Sequence, residues 1–163
     1  MRIDGAEHTV NGQAWVEKRF IAASEKGDND SLCKTKLWLF SDNGEPFIAL
    51  ESCYDKKTKT EKASAVAIFS DGGSKRYEVE SILGNSTEMW KSSTTGKSYP
   101  FPLVVRIPEL EVDIKIEPSL YEQEMIAEDG VYSEYVGSAS YTGLYGDKKI
   151  SGNCGVEIIG TFY

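Results

Sequence analysis

"VYSEYVGSASYTGLYGDKKISGNCGVEIIGTFY", residues 131–163, is the stretch on which the fold turns. Two runs rich in β-branched and aromatic residues, 131–145 and 149–163, flank the turn "YGDKK" (145–149). Gly and Asp tolerate the backbone angles of a tight reversal, so the segment predicts a long antiparallel hairpin. In its second arm one carboxylate, Glu157, sits among Val156, Ile158 and Ile159. Period two places Asn153, Gly155, Glu157, Ile159, Thr161 and Tyr163 on one face, and Cys154, Val156, Ile158, Gly160 and Phe162 on the other. The second face is uniformly apolar and reads as packed core or outer cover. The first is mixed, as the lining of a cavity with one acid would be. The alternative is an outward charge that keeps a strand soluble.

Working outward, the same signature recurs upstream. Segments 12–23, 33–40, 46–54, 62–69, 75–83, 87–92, 101–107, 111–117 and 121–127 read as further strands, about ten in all with the hairpin arms. The connectors "SDNGEP" (41–46), "DKKTKTE" (55–61), "SDGGSK" (70–75) and "TTGKSYP" (94–100) carry turn chemistry, so sequence neighbours should pair in space. Helical periodicity is scarce. Many strands joined by short turns predict an all-β fold, a sandwich or a closed up-and-down antiparallel barrel; closure removes exposed edges, and a barrel of about 8–10 strands has room inside for a small ligand. In 111–117 Val112, Ile114 and Ile116 alternate with Asp113, Lys115 and Glu117, which marks a half-buried strand with no function assigned to its charges.

Length and charge narrow the function classes. The 163 residues fit a single domain, 1–163, with one core, and no linker or repeat divides them. Lys and Arg number 18 against 26 Asp and Glu, a formal charge of −8, with no basic cluster. Phosphate binding needs concentrated positive charge, so neither nucleic acid nor an anionic membrane is expected as a partner. No stretch approaches the eighteen or so apolar residues of a spanning helix, and no leader is evident, so a soluble protein that is not exported is expected. Three cysteines, Cys33, Cys53 and Cys154, at no C-x-x-C spacing suggest no disulfide framework and a reduced, cytoplasmic setting. The one histidine, His8, lies in a loop near the start, which disfavours His-dependent triads and metal sites. Glycines 143, 152 and 155 precede no helix and make no phosphate cradle.

The order of features from residue 85 is more specific than any one motif. "NSTEMWKSSTTGKSYPFPLVVRIPELEVDIKIEP" is followed by Gln123 and Glu124 and then by "GSASYTGLYGDKKISGNCGVEIIG"; upstream, "NGQAWVEKRF" (11–20) has a G-x-A-W segment with Glu17. This series resembles the C-terminal half of the AttH-like and carotenoid-hydratase family of lipocalin-like hydratases and Diels-Alderases, in which Asp is usual where Glu17 stands. The resemblance implies a lipocalin-like barrel with an apolar cavity, and chemistry that needs neither metal nor organic cofactor. Members commonly carry two such halves. One half alone implies either a self-sufficient barrel or a second surface supplied by a homodimer mate or another subunit.

Against that background Glu157 is the first catalytic candidate. Burial would raise its pKa and keep a proton available for an alkene or carbonyl. Tyr141, in the facing arm of the hairpin, is the second, a phenol able to donate to a developing oxyanion. Tyr135 shares its face by period two, and Asn153 and Thr161 share that of Glu157. Trp15 and Trp90 match family positions as walls, or as π faces for a cationic intermediate. Glu17 and Glu134 are secondary acids.

Three functions remain open at this level. One is a cofactor-independent cyclase, isomerase or hydratase that shapes an apolar polyene, polyketide or isoprenoid in secondary metabolism. Another is a non-catalytic binder of a small hydrophobic molecule. The third is a subunit that completes a partner's cavity.

Overall fold

The computed structural model describes residues 2–9, 11, 31–40, 44–55, 57–80, 82, 89–128 and 133–159. Among these, every regular element is a strand except one 3-10 turn, Pro108–Leu110. The strands are β1 (Arg2–Ile3), β2 (Ala6–Glu7), β3 (Ser31–Leu39), β4 (Phe47–Asp55), β5 (Thr60–Ile68), β6 (Ser74–Glu78), β7 (Trp90–Lys91), β8 (Ser98–Tyr99), β9 (Leu103–Ile107), β10 (Val112–Pro118), β11 (Glu124–Ile126), β12 (Ser133–Tyr145) and β13 (Lys148–Ile159).

Nine of them form one antiparallel sheet in the order β6-β5-β4-β3-β13-β12-β10-β9, with β11 paired to β12. The β12–β13 hairpin is its centre, with Tyr145 opposite Lys148 across a two-residue loop. Gly146 begins that loop at φ 57, a value glycine reaches without strain. Among the described residues no ladder closes the sheet. Its two edges are bridged instead by the Glu80 N–H donating to the Arg106 carbonyl at 2.9 Å and by the Lys75–Glu109 ion pair.

One face of this bent sheet makes the core. Leu37, Leu39, Ile48, Leu50, Ala65, Ala67, Val105, Ile107, Tyr135, Tyr141, Val156 and Ile158 are all buried there. The alternation in β10 holds: Val112, Ile114 and Ile116 are buried while Asp113, Lys115 and Glu117 are exposed. Burial of each such side chain stabilises the fold by about 1.5–3 kcal/mol, which is why a period-two pattern is so informative.

Several boundaries differ from the expectation. Segment 12–23 lies outside the described residues. The strand expected over 75–83 ends at Glu78: Val79 still donates to the Ala63 carbonyl on β5, but Glu80 turns its amide to Arg106, and residues 81 and 83 lie outside the described residues. β1, β2 and β8 were not anticipated; β8 falls inside an expected turn and pairs with β7, Trp90 opposite Tyr99.

The cysteines also require a correction. Cys53 is disulfide-bonded, and Cys154 alone is a free buried thiol among the described residues. Cys33 and Cys53 are register partners across β3 and β4. Linear spacing cannot show which residues face one another across strands, whereas register does. The inference from three reduced thiols to a reducing compartment therefore loses its basis. No helix among the described residues is long and apolar enough to cross a membrane.

Candidate functional site

The outer face of the sheet is unusual for its apolar content. In β3 the alternation sends Leu37 and Leu39 into the core and Lys36 and Trp38 outward, with Phe40 following. Register then sets their neighbours: Lys36 lies opposite Glu157 on β13 and Glu51 on β4, and Trp38 opposite Gly155 and Ala49. A Cβ on Gly155 would stand 3.0 Å from Trp38 Cε3, so the indole rests where only glycine leaves room. Lys36 Nζ donates to Glu157 Oε1 at 2.9 Å. Lys36 is 8% exposed although it belongs to the outer face, since its stem is packed among these neighbours.

Two recesses flank Trp38. The larger, about 500 Å³, is lined by Phe40, Val136, Ser138, Asn153 and Glu157. The smaller, about 210 Å³, is lined by Lys36, Glu51, Ser64, Val66 and Arg76. Together they place hydrocarbon walls around a paired acid and base, a setting in which a small apolar molecule with a polar function would find both packing and hydrogen-bonding partners.

Glu157 and Asn153 thus share one groove, as their spacing required. Tyr141 does not join them. It lies opposite Gly152, whose parity puts it on the Cys154 face, and its hydroxyl donates to the Phe40 carbonyl at 2.9 Å from the core side. Tyr135 is on that core face too. It meets Trp90 at 6.4 Å between ring centroids and packs with Tyr99 and Phe101. Its hydroxyl donates to the Leu120 carbonyl at 2.8 Å and accepts from Gln123 Nε2 at 2.6 Å. Burial pushes the Tyr135 phenol up to about 12. Tyr135 and Trp90 therefore belong to a packed aromatic cluster separate from the Glu157 groove. Trp15, Glu17 and Thr161 lie outside the described residues. Glu134 is on β12, opposite Ile159 and Met125.

Sequence reasoning missed Lys36 and Trp38, although "KLWLF" carried a signal: a Trp and a Phe at the alternate positions where a solvent face should be polar. It also used Glu124 only as a spacing mark. Glu124 Oε1 accepts from Thr95 Oγ1 at 2.7 Å, Tyr99 OH at 2.6 Å and Ser133 Oγ at 2.9 Å, and Oε2 from Ser92 Oγ at 2.5 Å. Burial opposes its ionisation, but the hydrogen bonds from Ser92, Thr95, Tyr99 and Ser133 outweigh it and hold the carboxyl below its usual range. Burial, with the bond to Glu124 next, pushes the Tyr99 phenol upward. A carboxylate so fully engaged is a clamp between the β7–β8 hairpin and β12, with no proton to give. Among the described residues no group of three or more His, Cys, Asp and Glu is placed to hold a metal ion.

An antiparallel meander bent around an apolar core, with an additional strand on its central hairpin, is a lipocalin-like β fold. The chain belongs to the AttH-like family, whose model matches residues 1–160. It is similar in structure to kievitone hydratase from Nectria haematococca, with a TM-score of 0.69 and 21% identity over 81% of this chain and 40% of that one. It is also similar to an AttH protein from Nitrosomonas europaea, with a TM-score of 0.65 and 18% identity over 84% of this chain and 41% of that one. The chain thus spans about two-fifths of the length of these solved structures. No curated protein matches the sequence.

Proposed function

We propose that the protein takes a small apolar molecule into the groove beside Trp38 and performs hydratase-type acid–base chemistry on it without a cofactor. The observation that carries this reading is the Lys36–Glu157 pair at 2.9 Å, whose carboxylate lines the larger, largely apolar groove while its lysine lines the recess on the other side of Trp38. Adding water across a double bond requires a proton to be taken from water and one to be delivered to carbon. Glu157 as carboxylate can accept the first, and Lys36 as ammonium holds the second. The same pair can polarise a carbonyl or shift a double bond, so an isomerase or a cyclase that works through near-attack positioning is the neighbouring reading. Kinship with the AttH-like family and the fold of a hydratase support this class.

The test is incubation with a panel of prenylated phenols, polyenes and unsaturated polyketide fragments, followed by mass spectrometry. A product heavier by one water supports hydration, and a new isomer at unchanged mass supports isomerisation or cyclisation. Glu157→Gln should suppress either while binding persists. Full turnover in that variant sinks the role given to the pair.

The ion pair also favours a second reading, non-catalytic binding, because a carboxylate held by an amine is less available for proton transfer. Recovery of every compound unchanged, with saturable binding, selects it.

A further inference from the structure

We infer that the ligand of this site is an apolar acid whose carboxylate sits in the smaller recess, against Arg76, while its hydrocarbon body runs past Trp38 into the larger groove. The inference rests on the reading that the larger groove holds the apolar body, and it adds the anionic end.

Trp38 lines both recesses, so they are the two sides of one trough across the outer face. The smaller side contains two cations. Arg76 on β6 makes no ion pair among the described residues, and its Nη1 donates to Ser64 Oγ at 2.7 Å. Ser64 therefore orients a guanidinium fork whose remaining donors match the two oxygens of a carboxylate. Lys36, almost fully covered, lines the same recess but is already paired with Glu157, so Arg76 is the group that meets the ligand carboxylate. Of the acids nearby, Glu157 is matched by Lys36, while Glu51 and Glu78, the register partners of Ser64, are exposed to water as Arg76 is, so the preference for a carboxylate rests on the oriented guanidinium rather than on net charge. Beyond Trp38 the wall changes to Phe40 and Val136. Polar head and apolar body thus have separate places on either side of one indole. The chain's net charge of −8 gives no long-range attraction for anions, so recognition of a carboxylate has to be local, and the oriented Arg76 provides it.

Isothermal titration of the full chain with decanoate, decanol and decylammonium separates the possibilities by head-group charge at constant tail. Decanoate is expected to bind about tenfold or more tighter than decanol, the ratio a charge-assisted bidentate contact supports. Arg76→Gln should remove most of that ratio while leaving decanol affinity unchanged, and Arg76→Lys should restore only part of it. Equal affinity for decanoate and decanol overturns the anionic subsite and leaves the groove intact. Tighter decylammonium overturns it by pointing to Glu51. Failure of all three to bind removes the subsite and the groove reading together. A circular-dichroism melt of each variant that matches the parent shows that the comparison is between folded proteins.

Discussion

Lys36 on β3 and Glu157 on β13 are register partners on the outer face of the sheet, joined at 2.9 Å, and the lysine is the more deeply covered of the two, its side chain 10% exposed against 26%. Removing the acid leaves a covered ammonium unmatched. Glu157→Gln is therefore expected to lower stability by about 1–2 kcal/mol, less than for a fully buried pair because water still reaches the carboxylate. The double variant Lys36→Met with Glu157→Gln should lose less than the sum of the two singles. Urea titration of all four proteins measures the coupling, and strict additivity would show that the pair is only adjacent.

Gly155 gives the groove its floor. Gly155→Ala puts a methyl 3.0 Å from Trp38 Cε3, so the indole has to tilt by a few tenths of an ångström. The expected result is weaker binding of an apolar ligand and a shifted tryptophan emission, with a stability change of no more than about 1–2 kcal/mol. Unaltered emission and affinity together would remove Trp38 from the site.

Glu124 sets a pH dependence whose sign can be worked out. Its folded pKa is lowered below the ordinary carboxyl value of 4.5, so its contribution is fully present above the unfolded value and disappears as pH falls through the lower folded one. The difference in melting temperature between the parent and Glu124→Gln should be constant near neutral pH and shrink from about pH 5 downward. At neutral pH the substitution is expected to destabilise by about 2 kcal/mol, since one oxygen and the charge that orients four hydroxyl donors are lost. A difference that widens on acidification would contradict the assignment.

Thr35 is fully buried on the core face, and its Oγ1 has no hydrogen-bond partner among the described residues. Thr35→Val keeps the shape and removes the orphaned hydroxyl. Stability should rise by about 1 kcal/mol, read from the midpoint of urea unfolding. A loss of similar size would mean that the hydroxyl is engaged in solution.

Thiol chemistry tests the corrected cysteine reading. Burial pushes the Cys154 thiol up to about 12, so little thiolate is present at neutral pH. Iodoacetamide should leave the native protein unlabelled and label one cysteine after denaturation. Reduction before denaturation should raise that to all three. Labelling of all three without reductant would restore the reduced picture.

Much of this architecture was legible in the chain. The hairpin of 131–163 and the alternation of β10 could be read because a half-buried strand must change face at every residue. The relation of Tyr141 to Glu157 was less visible, yet its cause is simple. A two-residue loop that opposes Tyr145 and Lys148 makes odd residues of β12 face even residues of β13, so Tyr141 pairs with Gly152 and stands on the core side. The Cys53 disulfide and the Lys36–Glu157 pair were beyond local reading, since both depend on which distant strand lies alongside.

By itself, then, the sequence determined an all-β meander, its family likeness, and which residues of each strand share a face, because those follow from local periodicity and turn chemistry. Only the tertiary structure decided which face is core and which partners meet across strands. Strand order and register are set by the joint burial of many apolar faces, and they turned the lone acid of "GVEIIG" into one half of an ion pair in an outer groove.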